Sequence, residues 1–451
     1  MTRIARTHRC LLPALALALA LALLAPWNSV TAANPSGPHH EGVATCASTT
    51  CHGAARPLAG TPVLQNEYVT WSEFDPHAGA FRTLQNERSA AIVRRLGLGP
   101  AERVPACLAC HSEVVPANAR GARFQQDDGI GCEACHGPAS SWLATHDDGR
   151  PESHEQSLRA GLRALDDPAE RGALCVACHV GSGDRLANHA MLAAGHPRLS
   201  FELDTFSELW RTSGGREHYR RSAEDHARRV GAGATQVWLT GLAVASLASV
   251  DQLQAGVGGA ALPEFSAFNC YSCHRSMGRR DGDPSAPPPV AVGSGATPGA
   301  LRLNDSALRL LVTALRVRYS GEATALAGQL AALQRAANED RGAVPEAAAA
   351  LRKQLVSLGP LLAQSPIRAA DNQAMLAAIL KASGNGAYPD YATAEQAAMA
   401  AVVLLGDTGT SPRQAADIAA LFAVLDDDTA FDQLRFARRL GRLTGAKEPR
   451  Q

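Results

Sequence analysis

Five cysteine pairs, each followed directly by histidine, constrain this chain more than any other feature of its sequence. They are Cys46-Ala-Ser-Thr-Thr-Cys51-His52, Cys107-Leu-Ala-Cys110-His111, Cys132-Glu-Ala-Cys135-His136, Cys175-Val-Ala-Cys178-His179 and Cys270-Tyr-Ser-Cys273-His274. Four share the spacing CxxCH; the first is the longer C-x4-CH. The chain has 11 Cys, and Cys10 alone stands outside a pair. Chance placement at this composition gives roughly one hundredth of a CxxCH in a chain this long. The spacing is that of a c-type haem attachment site. Two thiols add to the vinyl groups on one porphyrin edge, and the adjacent histidine passes under the ring to ligate the iron. The pattern predicts five c-type haems on those ten cysteines, with His52, His111, His136, His179 and His274 as proximal ligands.

Two plainer readings compete. An even cysteine count in an exported chain ordinarily means disulfides, but five such short loops would be strained and have no use for the histidine. Zinc ribbons use two CxxC pairs per metal and demand no histidine after them. Export itself is read from the N-terminus. Arg3, Arg6 and Arg9 precede an apolar run from Leu11 to Ala25, and Val30-Thr31-Ala32 offers a cleavage site. About 15 apolar residues are short for a membrane span, so residues 1–32 read as a signal peptide. An uncleaved anchor is the alternative; a lipoprotein is disfavoured because Cys10 precedes the run. The expectation is a periplasmic protein with no membrane span after cleavage. Lys+Arg and Asp+Glu both number 43, so no basic excess marks a nucleic-acid binder. Aromatic residues are only 5% of the chain. Five large apolar porphyrins would supply much of the missing interior.

All five motifs fall within residues 33–277, a spacing that leaves room for loops and short helices but little for a sheet. Residues 278–300 are rich in Pro, Gly and Ser and read as a linker. Residues 301–451 hold no Cys and no His, only long Ala/Leu stretches. Helical patterns run from Ser306 to Tyr319 and over 322–337, 344–357, 367–382, 392–405, 411–425 and 428–442. Gly359-Pro360, Gly384-Asn385-Gly386 and Gly406 read as breaks, and Asp371, Thr393 and Ser411 as caps. The predicted fold class is mainly α: a loop-rich, haem-packed domain followed by an all-helical C-terminal domain. That second domain reads as a scaffold covering haem edges or forming an oligomer.

A six-coordinate haem needs a second axial ligand. The segment Asn188-His189-Ala-Met191-Leu-Ala-Ala-Gly195-His196-Pro197 places two histidines seven apart. On one helix they would share a face, about 10.5 Å apart along the axis. That suits two neighbouring haems, or one ligand and one supporting group, with Pro197 ending the helix at His196. His77, in Trp71-Ser-Glu-Phe-Asp75-Pro76-His77, and His146, in Trp142-Leu-Ala-Thr-His146, are further candidates. His218 and His226 lie eight apart in a charged stretch, where a solvated face is an equal reading. His39 and His40 lie near the new N-terminus and read as mobile. Met191 reads as helix packing.

The run Cys107–His111, Gly129-Ile-Gly-Cys132-Glu-Ala-Cys135-His136-Gly137-Pro138, His146 and Cys175–His179 resembles the tetrahaem cytochrome c-554 family. So does Trp71…His77-Ala78 after the first site. The resemblance covers roughly residues 40 to 200, and Gly-Cys-Glu-Ala-Cys-His-Gly-Pro is its most specific piece. It implies that His77 serves the His136 haem and His146 the His52 haem. It also implies a five-coordinate second haem, here that of His111, in a stacked arrangement shared with hydroxylamine oxidoreductase and pentahaem nitrite reductase. The chain departs from the family in its C-x4-CH site, its fifth site and its helical extension. For the fourth and fifth haems His189, His196 and His218 are favoured, and a spare histidine could cap the second iron.

Two main functions follow. An electron carrier needs closely spaced haems, and bis-His ligation blocks small molecules and lowers potentials. Its partners would be other redox proteins, met through small transient surfaces. An enzyme acting on hydroxylamine, nitric oxide or nitrite needs an open iron and proton donors; the His111 haem with Asp127 or Asp128 is the candidate. A sensor or structural subunit is a third class, supported only by the helical domain.

Overall fold

The computed structural model describes residues 37–57, 64–146, 152–183, 185–212, 232–257, 264–274, 301–364, 367–406 and 411–443. The predicted signal peptide, the linker, His218 and His226 lie outside the described residues. Within them the protein is mainly helical and has no strand, only isolated bridges joining His40 to Arg120, Ser182 to Arg185 and Phe268 to Leu303.

The C-terminal region forms Ser306–Leu315, Ser320–Glu339, Val344–Gln364, Ala369–Gly384, Tyr391–Leu405, Pro412–Phe422 and Gln433–Leu440. Three local expectations change. Ser411 does cap its helix, with Gln414 reaching back to the Ser411 N–H. Asp371 instead sits inside its helix and accepts from the Arg368 N–H at 3.0 Å. Asp390, not Thr393, is the cap of Tyr391–Leu405, accepting from the Thr393 N–H at 3.0 Å. Pro360 lies within Val344–Gln364 and does not break it. There it removes one helical hydrogen bond and crowds the carbonyl four residues back. Leu355, Leu358 and Leu362 are all buried and hold that turn against the core.

One helix was not foreseen. Ala234–Val257 runs through the longest gap between attachment motifs, where only loops and short helices were expected. Its Trp238, Leu239 and Leu242 are fully buried in the same core as Leu310, Leu311, Leu315 and Leu351. Each such leucine contributes about 1.5–3 kcal/mol on burial. The helical core therefore draws on chain from both sides of the 278–300 segment.

The motif-bearing half is packed differently. Its buried apolar residues fall into small groups: Val43, Trp71 and Ala78; Leu84, Val93 and Ala101; and Val176, Phe201 and Leu203 with Val237 and Ala245. Attachment cysteines border all three groups: Cys132, Cys107 and Cys175. The two halves meet at Arg302. Its guanidinium reaches Asp390 at 2.7 Å and Asp305 at 3.3 Å. Its backbone accepts from the Asn269 N–H at 2.8 Å, next to the fifth motif.

Candidate haem sites

A helical turn is what makes CxxCH work. In a helix the two cysteines, three apart, project on one side, and the histidine N–H bonds back to the carbonyl of the first cysteine. Pro105–His111, Cys132–His136 and Pro168–His179 each end on their motif's histidine. Proline at the first helical position starts the first and third of these, and Asp167 caps the last. The fifth motif makes a shorter 3-10 turn, Cys270–Ser272, with the His274 N–H on the Cys270 carbonyl at 2.8 Å.

The long first motif reaches the same arrangement by another path. Helix Val43–Cys46 ends at the first cysteine, and the extra residues fold into a turn. The Cys51 N–H bonds the Ser48 carbonyl at 2.9 Å, and the His52 N–H comes back to the Cys46 carbonyl at 3.2 Å. Only glycine fits at position 53: a Cβ there would lie 2.0 Å from the Ala47 carbonyl oxygen.

No disulfide joins any of the ten described cysteines. The motifs lie against one another. Just ahead of the first motif, the Gly42 N–H donates to Glu133 of the third at 2.7 Å. The His77 carbonyl accepts from the Ile130 N–H, two residues before the third motif, at 3.1 Å, while the His77 ring faces His179 of the fourth. Ala80, three residues further on, accepts from His111 of the second. The sites thus follow in the order first, third, fourth, second.

The histidines face each other in twos. Ring centroids lie 5.9 Å apart for His52 and His146, 6.0 Å for His77 and His179, 6.4 Å for His111 and His196, and 6.2 Å for His189 and His274. An iron held between two imidazoles, with metal–nitrogen bonds of about 2 Å, needs centroids a little over 6 Å apart. In three of the pairs the outer ring nitrogens are anchored. His52 Nδ1 meets Glu67 Oε2 at 2.9 Å, and His77 Nδ1 meets Asp75 Oδ1 at 2.9 Å. His111 Nδ1 donates to the Ala80 carbonyl at 3.1 Å, and His196 Nδ1 to that of Pro197 at 2.8 Å. Fixing Nδ1–H on an oxygen leaves the Nε2 lone pair for a metal, and a carboxylate makes that lone pair more basic.

Electrostatics agree with ligand rings. Burial pushes the His179 ring down to about 4, and His77 opposite adds to it. Burial also lowers His111, with a further contribution from His196. Neutral imidazole is the form that binds metal. The Glu67 and Asp75 carboxylates hold His52 and His77 above the usual imidazole range.

The sequence expectations meet this geometry unevenly. His146 faces His52, with Trp142 packed edge-on at 5.2 Å. The resemblance set His136 opposite His77; the structure sets His179 there. His189 and His196 do not share a helix face. The helix is only His189–Ala193, and Gly195, at φ +110°, ends it in a Schellman turn with the His196 N–H on the Met191 carbonyl at 3.0 Å. The two rings therefore go to different partners, His274 and His111. His39 and His40 are not loose. The His40 backbone pairs with Ala119 and Gly121, its Nδ1 meets Glu113, and the His39 N–H donates to Ser140 Oγ at 2.7 Å.

Sequence reasoning missed the carboxylates. Glu67, Asp75 and Glu113 orient rings, and buried Glu133, inside the third motif, accepts from the Glu41, Gly42 and Ala139 N–H groups. Its place between two attachment cysteines was the available signal.

These residues fit haem. The rings meet in twos, and among the described residues no three of His, Cys, Asp or Glu converge as a zinc ribbon's would. Buried Trp142 Nε1 and Arg171 Nε, near His146 and Cys175, have no hydrogen-bond partner and are donors suited to porphyrin carboxylates.

The family model for cytochrome c554 and c-prime matches residues 45–137. The match supports a c-type cytochrome of the c554 family. Covalent haem and electron transfer come with that family; the matched residues span the first three motifs. No curated protein and no solved structure matches the chain. Among the described residues no helix is long and apolar enough to cross a membrane.

Proposed function

We propose that the chain is a periplasmic electron carrier holding five covalent haems, most or all of them bis-histidine. The observation that carries this reading is His196 against His111. The His111 site is where the c-554 resemblance leaves an open iron, and here a second imidazole stands at axial distance. Among the described residues, His52 has such a partner in His146, His111 in His196, His179 in His77 and His274 in His189. His218, favoured from the sequence for the fourth or fifth haem, lies outside the described residues.

Each haem iron, once bound, accepts and returns one electron. The protein's part is to hold it. The cysteines would hold the porphyrin edge and the facing histidines would ligate the iron, while Glu67, Asp75 and the Ala80 carbonyl keep the His52, His77 and His111 rings from turning. Bonds between the motifs that leave the cysteines free for haem, such as the Gly42 N–H on Glu133 at 2.7 Å and the Ile130 N–H on the His77 carbonyl at 3.1 Å, keep the sites adjacent, as short-range electron transfer requires. Partner proteins exchange electrons at exposed edges through small, transient contacts.

The nitrogen-oxide enzyme reading keeps one supporting feature. Asp128 lies near the second motif, its carboxyl raised by burial and by Asp127 and Glu113. It lacks an open iron unless His196 leaves. EPR of the oxidised five-haem protein separates the two. Low-spin signals alone are expected; a high-spin signal that shifts with cyanide or nitric oxide would replace the carrier reading with the enzyme.

A further inference from the structure

The fifth motif lies outside the matched family region, and its place among the other sites follows from this chain's own contacts. Sites three and four are interior. The third is tied to the first by the Gly42 N–H on Glu133 and to the fourth through His77, whose carbonyl accepts from the Ile130 N–H and whose ring faces His179; the same segment reaches the second, where Ala80 accepts from His111. Two ends remain, at the first site and the second. Cys51 of the first site is exposed.

At the second site the segment 188–196 takes over. His196 faces His111 at 6.4 Å, and His189, seven residues earlier, faces His274 at 6.2 Å. The segment is rigid. Asn188 caps Met191, the His189 N–H donates to Glu264, and the Gly195 turn closes on Met191. Arg88 and Arg95 bind the Gly195 and Ala194 carbonyls at 3.1 and 2.7 Å. Seven residues in a helix and its closing turn keep the two histidines within about 15 Å of one another.

The other wall of the fifth motif belongs to the C-terminal helices. Tyr271 packs on Phe431 at 6.4 Å, and Phe431 on Tyr391 at 6.1 Å. The Arg302 N–H donates to Ser272 Oγ at 3.2 Å. Both Cys270 and Cys273 are exposed, unlike the half-buried thiols of sites two, three and four.

We infer that His189 and His274 hold a fifth haem that extends the row beyond the His111 site, making it one of two solvent-facing termini, and that the C-terminal helices serve to build that terminus. The inference rests on the c-type haem reading above. The row then runs His52, His136, His179, His111, His274, and electrons enter and leave at the first and last members.

The test uses the full-length, haem-loaded protein. His189→Ala should keep five haems by pyridine haemochrome and turn one of the five high-spin, able to bind carbon monoxide when reduced. If that variant loses a haem, His189→Met should keep five low-spin haems and gain the far-red band of methionine–iron ligation. Five unchanged low-spin spectra in both variants would overturn the ligand assignment. Position is read with two labels. His196→Ala makes the second site the high-spin reporter, and His146→Ala the first. Adding Cys270→Ala/Cys273→Ala should remove one haem, change the line shape and midpoint of the second-site reporter, and leave the first-site reporter as it was. Equal effects on both reporters, or none on either, would overturn the proposed order. A wild-type protein with unmodified Cys270 and Cys273 would instead sink the haem reading at that site.

Discussion

Glu67→Gln should raise the midpoint potential of the haem between His52 and His146. The Glu67 side chain is 5% exposed, and its Oε2 lies 2.9 Å from His52 Nδ1. Through the imidazole that carboxylate sits roughly 6–7 Å from a bound iron. The ferric state carries one more positive charge than the ferrous, so the carboxylate favours ferric iron. At an effective dielectric constant near 20 the interaction is about 2.5 kcal/mol, equivalent to about 100 mV for one electron. His52 is 26% exposed, and solvent screening reduces the figure to about 50–100 mV. Glutamine keeps an acceptor for the ring and for the Gln65 N–H, which donates to Oε1 at 3.2 Å, so the fold should hold. Spectroelectrochemical titration of wild type and variant measures the shift. One haem should move upward by that amount while all stay low-spin. A downward shift, or no haem moving by more than about 10 mV, would refute the reasoning from ring anchoring to potential.

Three further outcomes follow. Gly53→Ala should yield protein with four haems by intact mass, because the added methyl meets the Ala47 carbonyl at 2.0 Å and the first attachment turn cannot close. The facing rings are near perpendicular for His77/His179 and His111/His196, at 86° and 82°, and nearer parallel for His52/His146 and His189/His274, at 31° and 32°. Oxidised protein should therefore show two classes of low-spin EPR signal, with the highly anisotropic class from the perpendicular pairs lost in part in His196→Ala. Arg302→Met should destabilise the protein by about 3 kcal/mol, since it leaves the buried Asp390 carboxylate without its ion pair; a fall in melting temperature of roughly 5–10 °C is expected by circular dichroism. Asp390→Asn in the same chain should restore part of that loss.

The attachment sites were legible because their chemistry is local. Two thiols and a histidine within five residues need only one helical turn, and even the four-residue gap between the cysteines of the first motif folds to the same backbone link. The C-terminal helices were legible by period and breakers. Pro360 misled because the burial of Leu355, Leu358 and Leu362 holds its turn against the core and outweighs the one hydrogen bond the proline removes. Helix Ala234–Val257 was hidden by the expectation of haem-dense loops, although the long stretch between the fourth and fifth motifs left space for it. The axial pairs were less legible. His77 and His179 are far apart in sequence, and nothing local distinguishes one proximal histidine from another as its partner. His189 and His196 looked like one helix face because the Schellman turn at Gly195 depends on a single left-handed residue. The anchoring carboxylates were unread because an isolated Glu or Asp carries no pattern.

The most direct test is the intact mass of the mature protein, purified from cells with a working cytochrome maturation system, together with a pyridine haemochrome count. The expected result is polypeptide plus five covalent haems, with no thiol left to alkylate. A colourless product whose mass matches the bare polypeptide, its ten cysteines free or disulfide-bonded, would contradict the central claim.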